Sequence, residues 1–460
     1  MSAEMNMESQ GGFSLYLFWS ALIAALGGLL FGFDTAVISG TTKALTEVYG
    51  LNEGWLGFTV SSALIGTIIG SLIAGKPADA YGRRACLFIL AIFYFVSAVG
   101  SALAWDWYSF IAFRFIGGIG VGGASVISPL YIAEISPAKY RGRLVALAQF
   151  NIVFGILLAF FSNYLVSTLN LGDVTWRWMF GIEAFPALAF FFLLFMTPRS
   201  PRWLMGKQRV NEARAILQKL TGNASTVESE ITAIQESLDL EHHQVNEPFF
   251  RAAYSKPIML AIAIAMFNQL SGINALMYYA PHIFKMAGAG EDSSMLQTVA
   301  VGGTNLLFTM AALLIIDHFG RKKLMIVGSI GYILSLSTVA WAFYTYGDEF
   351  DSTGSTIVLI GLLAFIASHA FGQGAVIWVF IGEVFPNRVR ARGQALGSFT
   401  HWVMAAAISW TFPMIAAWSG AHIFAFYAGM MVLQLIWVIK YMPETKGISL
   451  EAMQKELGID

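Results

Sequence analysis

The 460-residue chain holds one cysteine, Cys86, and charged residues make up only 12% of it. A lone cysteine excludes an intramolecular disulfide and carries no redox message. So little charge cannot cover a water-facing surface of this size, and 57% hydrophobic residues with a mean hydropathy of +0.65 place the chain in a lipid bilayer. No HExxH, GxSxG or phosphate loop and no cluster of Cys and His ligands is present, so neither an enzyme nor a metal or cofactor protein is expected. No Lys or Arg precedes the first apolar run, which is about as long as a full span, so a cleaved signal is not expected. The net charge of −1 carries no message, because in a membrane protein the position of charges matters more than their sum; no nucleic-acid partner is expected.

What is abundant is apolar run after apolar run, with 45 glycines for close helix packing and 13 tryptophans for the headgroup region. At roughly 20 residues per crossing, the runs predict an all-α membrane protein of twelve transmembrane helices. Six lie before a polar middle, at 15–40, 55–77, 85–104, 108–132, 143–167 and 177–197; six follow, at 256–284, 295–317, 323–345, 355–384, 394–418 and 421–441.

The two sets share a plan. Asp79-x-x-Gly82-Arg83-Arg84 is matched by Asp317-x-x-Gly320-Arg321-Lys322-Lys323, and Glu134 followed by Arg141-Gly142-Arg143 is matched by Glu383 followed by Arg390 and Arg392-Gly393. The repeat predicts two pseudo-symmetric six-helix bundles, 1–197 and 256–442, joined by a cytoplasmic helical linker at 198–255 and ending in a cytoplasmic tail at 443–460. All 27 Lys and Arg except Lys43, Arg114, Arg177 and Lys285 fall on the side of the termini, which the positive-inside rule assigns to the cytoplasm. Gly118-Ile119-Gly120-Val121-Gly122-Gly123 fits a dinucleotide fingerprint in letters only, since no strand precedes it; close helix packing explains it.

Inside the spans, Asp34 and Arg114 stand at similar depth, and an unpaired charge there costs about 2.5–3.5 kcal/mol even on the lenient insertion scale. They read either as a permanent salt bridge or as a switchable pair that loads and releases a proton. Asn268, Gln269 and Asn274 in the seventh span and Asn305 in the eighth are amides at mid-depth that need partners. With Gln149, Trp378, His401 and Trp402 they would line a cavity of amide donors, amide acceptors and aromatic faces, suited to a neutral polyol. The charged helix ends, Asp79 with Arg84, Glu134 with Arg143, Asp317 with Arg321 and Glu383 with Arg390, read as cytoplasmic latches pairing across the two halves.

These segments resemble the sugar porter family of the major facilitator superfamily over nearly the whole chain. The motifs are Gly75-Lys-Pro-Ala-Asp79-Ala-Tyr-Gly82-Arg83-Arg84, Glu134-Ile-Ser-Pro137-Ala-Lys-Tyr-Arg141-Gly142-Arg143, Pro198-Arg-Ser-Pro201-Arg202-Trp203-Leu204, Gln269-Leu-Ser-Gly272-Ile-Asn274 and Pro443-Glu444-Thr445-Lys446-Gly447. Within the family, Asp34 in Phe33-Asp34-Thr35-Ala36-Val37-Ile38-Ser39-Gly40 is similar to the first-span carboxylate of bacterial D-xylose and D-glucose proton symporters; facilitative mammalian glucose carriers usually carry Asn there. The resemblance implies the major facilitator fold, sugar contacts at Gln149, Gln269, Asn274, Asn305, Trp378 and Trp402, Arg114 as partner of the proton carboxylate, and gate or hinge positions at Tyr278, Tyr279 and Gly374. Asn268 stands where the family carries Gln, His401 where it carries Gln or Asn, Arg199 where it carries Glu, and Ile156 where the xylose symporters carry a second fifth-span Gln. The expectation is a multi-pass carrier of the cell membrane, functional as a monomer, that imports a neutral hexose or pentose with a proton by alternating access. The alternatives are a uniporter with a static Asp34–Arg114 bridge, and a sugar sensor, disfavoured by the short stretch after Gly447. A carrier of organic acids or cations would want a further cation in the cavity.

Overall fold

The computed structural model describes residues 14–221, 224–242, 248–347, 349–386, 388–448 and 450–459. All regular elements among the described residues are helical. Eleven segments are long and apolar enough to cross a membrane: Leu15–Gly40, Glu53–Ile73, Arg83–Leu103, Trp107–Ile135, Lys139–Thr168, Gly172–Met196, Ala252–Met286, Glu291–Ile316, Arg321–Tyr346, Ser352–Val384 and Gly420–Lys440. Arg390–Trp418 is as long but more polar, with two arginines in its first turn, and it stands eleventh of twelve spans in chain order.

Most spans overrun the expected bounds by a few residues, because an apolar ruler misses the capped polar turn at the end of a helix. Asp106 and Ser109 close a capping box on the fourth span, and Asn52, Asp351 and Ser419 cap the second, tenth and twelfth. The second span stops short, at Ile73, and the chain turns into a separate helix, Gly75–Tyr81. Two spans are interrupted. The seventh is Ser255–Leu270 and Ile273–Met286, broken at Gly272 with φ +85°; the tenth is Ser352–Phe371 and Gln373–Val384, broken at Gly372. Broken helices at mid-membrane expose backbone and side-chain polar groups where a substrate can meet them. The polar middle forms Pro201–Gly206, Val210–Thr221 and Ala224–His242, and the tail forms Leu450–Leu457. Residues 222, 223 and 243–247 of the expected linker lie outside the described residues.

The repeat in the sequence is a repeat in space. The third and ninth spans start directly after Gly82 (φ 93°, ψ 153°) and Gly320 (φ 86°, ψ 161°), a backbone region open essentially to glycine alone. Arg83 and Arg321, one residue on, each reach a glutamate on the next span of their own half, Glu134 and Glu383.

The core shows how the halves meet. Toward the face away from the termini one continuous apolar cluster takes residues from both halves, Phe33 and Phe160 with Tyr279, Phe365 and Phe424 among them. Toward the terminal face it divides in two, one cluster around Tyr94 and Tyr131 in the first half and another around Ile264, Phe380 and Phe385 in the second. Hydrogen bonds between the halves sit on the closed side: Lys43 Nζ to Glu291 at 3.1 Å, Ser61 Oγ to the Ala406 carbonyl at 2.9 Å, and Trp410 Nε1 to the Gly54 carbonyl at 3.1 Å. The halves are joined at the far face and part toward the termini.

Candidate functional site

Two buried polar groups occupy the middle of the molecule. In the first half, Arg114 donates from Nη1 to Asp34 Oδ1 at 2.7 Å and from Nη2 to the Asp34 carbonyl at 2.9 Å, with side-chain exposures of 2% and 1%. Phe180 of the sixth span lies under the guanidinium, 5.3 Å from ring centre to Cζ. The guanidinium leaves the second Asp34 oxygen untouched, and Arg114 Nε has no acceptor among the described residues. A third ionisable group, which the pairing of Asp34 with Arg114 did not anticipate, stands beside them: Glu183, fully buried at the bend of the sixth span, its carboxyl within side-chain hydrogen-bonding reach of Asp34. Its signal was an acid within an expected apolar run. Tyr94 and Ser97 close the site with buried hydroxyls that have no hydrogen-bond partner among the described residues. At Gly117 a Cβ would stand 3.2 Å from Asp34 Oδ1, so the bare backbone keeps room beside the carboxyl. Two carboxyls face one guanidinium in a buried site, and the set is neutral only when one carboxyl carries a proton.

In the second half the break at Gly272 ends a helix on Asn268 and Gln269, which puts both amides at mid-depth. Gln269 Nε2 lies 3.0 Å from Asn268 Oδ1 and 3.3 Å from the His401 ring, while its own Oε1 is buried and unpartnered. Trp378 and Trp402 flank His401, with ring centres 5.1 and 4.8 Å away, and Phe31 of the first span meets Trp402 at 5.8 Å. Trp378 is 40% exposed, whereas Trp402 is buried. The structure thus gathers Asn268, Gln269, Trp378, His401 and Trp402 by direct contact. Gln149 and Asn274 are half-buried and make no hydrogen bond among the described residues. Asn305 is buried on the eighth span, where its Oδ1 accepts from Thr309 at 3.4 Å.

Behind Asn268 runs an amide chain that the sequence did not single out. Asn268 Nδ2 reaches Gln373 Oε1 at 3.3 Å, Gln373 Nε2 reaches Gln434 Oε1 at 2.6 Å, and Gln434 Nε2 reaches Ser329 Oγ at 2.8 Å. Four spans are thereby tied together through Asn268, and Gln373 is the first residue after the break in the tenth. Gly374 follows it, with the His369 carbonyl 3.1 Å from where a Cβ would lie. On the closed side, Tyr279 donates to the Ser409 carbonyl at 2.8 Å and stacks on Phe412 at 5.0 Å, while Tyr278 is buried within electrostatic reach of Asp34 and Arg114.

The charged helix ends pair differently from the expected latches. Asp79 and Glu134 both bind Arg83, at 2.9 Å each, and neither Arg84 nor Arg143. Arg84 instead donates to the carbonyls of Leu194 and Phe195. Glu383 binds Arg321 at 2.8 Å, not Arg390, and the Asp317 side chain lies outside the described residues. These ion pairs run within each half, because the residue that directly follows the positive-φ glycine is the one aimed back at the neighbouring span.

The chain is 39% identical to the D-xylose-proton symporter of Escherichia coli (strain K12), over 96% of each chain. It is 37% identical to the arabinose-proton symporter of Bacillus subtilis (strain 168), over 94% of this chain and 93% of that one. The partially occluded inward open structure of the xylose transporter XylE from E. coli superposes with a TM-score of 0.84 at 37% identity, over 95% of this chain and all of that one. Residues 20–457 match the sugar (and other) transporter family, and with twelve spans in two similar halves around a buried acid–base group and a buried amide cluster, the chain belongs to that family.

Proposed function

We propose that the protein is a proton-coupled symporter that carries a neutral monosaccharide, a hexose or pentose, into the cell by alternating access. The observation that carries this reading is the buried trio Asp34, Arg114 and Glu183, one cation for two carboxyls, lying in reach of Tyr278 on the same broken span that carries Gln269. A proton on the trio and a sugar on Gln269 act on one element. The bacterial relatives' names, D-xylose-proton and arabinose-proton symporter, support the same cargo and coupling.

Gln269 and its unpartnered Oε1 bind adjacent sugar hydroxyls, Trp378 and Trp402 cover an apolar sugar face, and Asn268, His401, Gln149, Asn274 and Asn305 complete the ring of polar contacts. Tyr278 and Tyr279 gate the far side, and Gly374 lets the second part of the tenth span pivot. The units 1–197 and 256–442 rock as bodies, each braced by its own arginine–glutamate pair, with the linker and both termini in the cytoplasm and the monomer as the working unit. Opening toward the termini is then the inward-facing state. A membrane potential of about 100 mV supplies roughly 2.3 kcal/mol per charge, enough to concentrate sugar about fortyfold per proton.

The two-point grip of Arg114 on Asp34 also fits a uniporter with a static bridge. Adding sugar to cells in weakly buffered medium decides between them: symport alkalinises the medium, and an unchanged pH on sugar entry removes the proton from the account.

A further inference from the structure

The two pseudo-symmetric helix starts differ at one point. In the second half, Thr445 donates to Glu383 at 2.6 Å, and its neighbour Glu444 accepts the backbone N–H groups of Arg321 and Lys322, at 2.9 and 3.1 Å, at the start of the ninth span. In the first half, Ser200 donates to Glu134 at 2.5 Å, which makes Ser200 the counterpart of Thr445 and Arg199 the counterpart of Glu444. A cation therefore stands where the other half has a carboxylate. The backbone N–H groups of Arg83 and Arg84 at the start of the third span find no acceptor among the described residues.

A cavity of about 290 Å³ opens at that place, lined by Arg83, Arg84, Arg199 and Arg209 with the rings of Tyr81 and Trp203, and by no carboxylate. Arg209 is paired with Glu212 and Arg83 with Asp79 and Glu134. Arg84 donates only to neutral carbonyls, and Arg199 is exposed with no ion pair among the described residues. The cavity ends on the seam between the third and sixth spans, where Phe88 meets Phe195 at 4.8 Å and Phe192, Phe195 and Met196 face outward, each more than 60% exposed. Cationic walls with unpaired N–H groups call for a phosphate oxygen. The adjoining apolar seam calls for an acyl chain, and Trp and Tyr mark headgroup depth.

We propose that this cavity holds the phosphate of an anionic phospholipid from the leaflet on the terminal side, standing where Glu444 stands in the other half. Arg84 and Arg199 supply the charge, the N–H groups of Arg83 and Arg84 the hydrogen bonds, and the Phe88–Phe195 seam the bed for a chain.

The test is native mass spectrometry of the full-length protein titrated with phosphatidylglycerol, phosphatidylethanolamine and inorganic phosphate. Phosphatidylglycerol binds more tightly than phosphatidylethanolamine; at about 1 kcal/mol per basic residue, Arg199→Gln weakens it about fivefold and Arg199→Glu, which restores the carboxylate of the other half, about thirtyfold. Position 199 is exposed, so both variants fold, and retained sugar binding checks this. Equal phosphatidylglycerol affinity in the wild type and Arg199→Glu, equal affinity for the two lipids, or phosphate that excludes the lipid from the cavity each overturn the proposal.

Discussion

Arg114 holds Asp34 at two atoms, the carboxyl Oδ1 at 2.7 Å and the main-chain carbonyl at 2.9 Å, so the guanidinium takes only one of the two carboxyl oxygens. The grip on the carbonyl keeps the guanidinium in place whether or not the side chain is charged.

Stability of the trio gives the first prediction. Glu183 is a second counter-charge for Arg114, so Asp34→Asn or Glu183→Gln alone leaves the cation compensated and shifts the melting temperature little. The double variant leaves Arg114 buried and unpaired, at a cost of about 3–5 kcal/mol. Thermal unfolding of the four proteins in detergent checks this, and additive small shifts would remove Glu183 from the group.

Gln269→Ala removes the amide that carries the only unpartnered acceptor of the Asn268–Gln269–His401 group. Two lost hydrogen bonds of roughly 0.5–1.5 kcal/mol each weaken sugar binding about five- to hundredfold. Calorimetric titration reads the change, and native affinity would take Gln269 out of the site.

Gln434→Leu strikes the sugar site from behind. It leaves Gln373 without its 2.6 Å acceptor, and through Gln373 it frees Asn268. One unsatisfied buried amide costs about 1–3 kcal/mol, seen as lower stability, and sugar affinity falls with it although Gln434 is three contacts removed from Gln269. Unchanged affinity would make the chain a packing feature only.

Gly82→Ala and Gly320→Ala place a side chain in a backbone region that costs of order 1–3 kcal/mol to occupy. Both variants lose stability by similar amounts, because the two halves use the same turn to aim Arg83 and Arg321. A loss at one position alone would contradict the equivalence.

The sequence made the twelve spans readable because apolar runs and basic loops follow from bilayer thickness and charge cost alone. Asp34 and Arg114 could be brought together by depth arithmetic, since both helices are regular to that point. Glu183 escaped because its position depends on the bend of the sixth span, which no periodicity announces. The pairing of Arg83 with Glu134 was not legible for a similar reason: Arg83 and Arg84 are adjacent in sequence, and only the positive-φ turn at Gly82 decides which of them faces Glu134. The amides Gln373 and Gln434 lay hidden in apolar spans, and it takes the break at Gly372 to bring them into line with Asn268.

The central claim is that protonation of the Asp34 group drives sugar uphill. The most direct measurement is accumulation of labelled sugar in proteoliposomes under an imposed inward proton gradient, for wild type and Asp34→Asn, beside sugar counterflow without a gradient. The account predicts accumulation above equilibrium for wild type only, with counterflow retained in both. Equal final levels in the two proteins, or wild-type uptake that ignores the gradient, would contradict it.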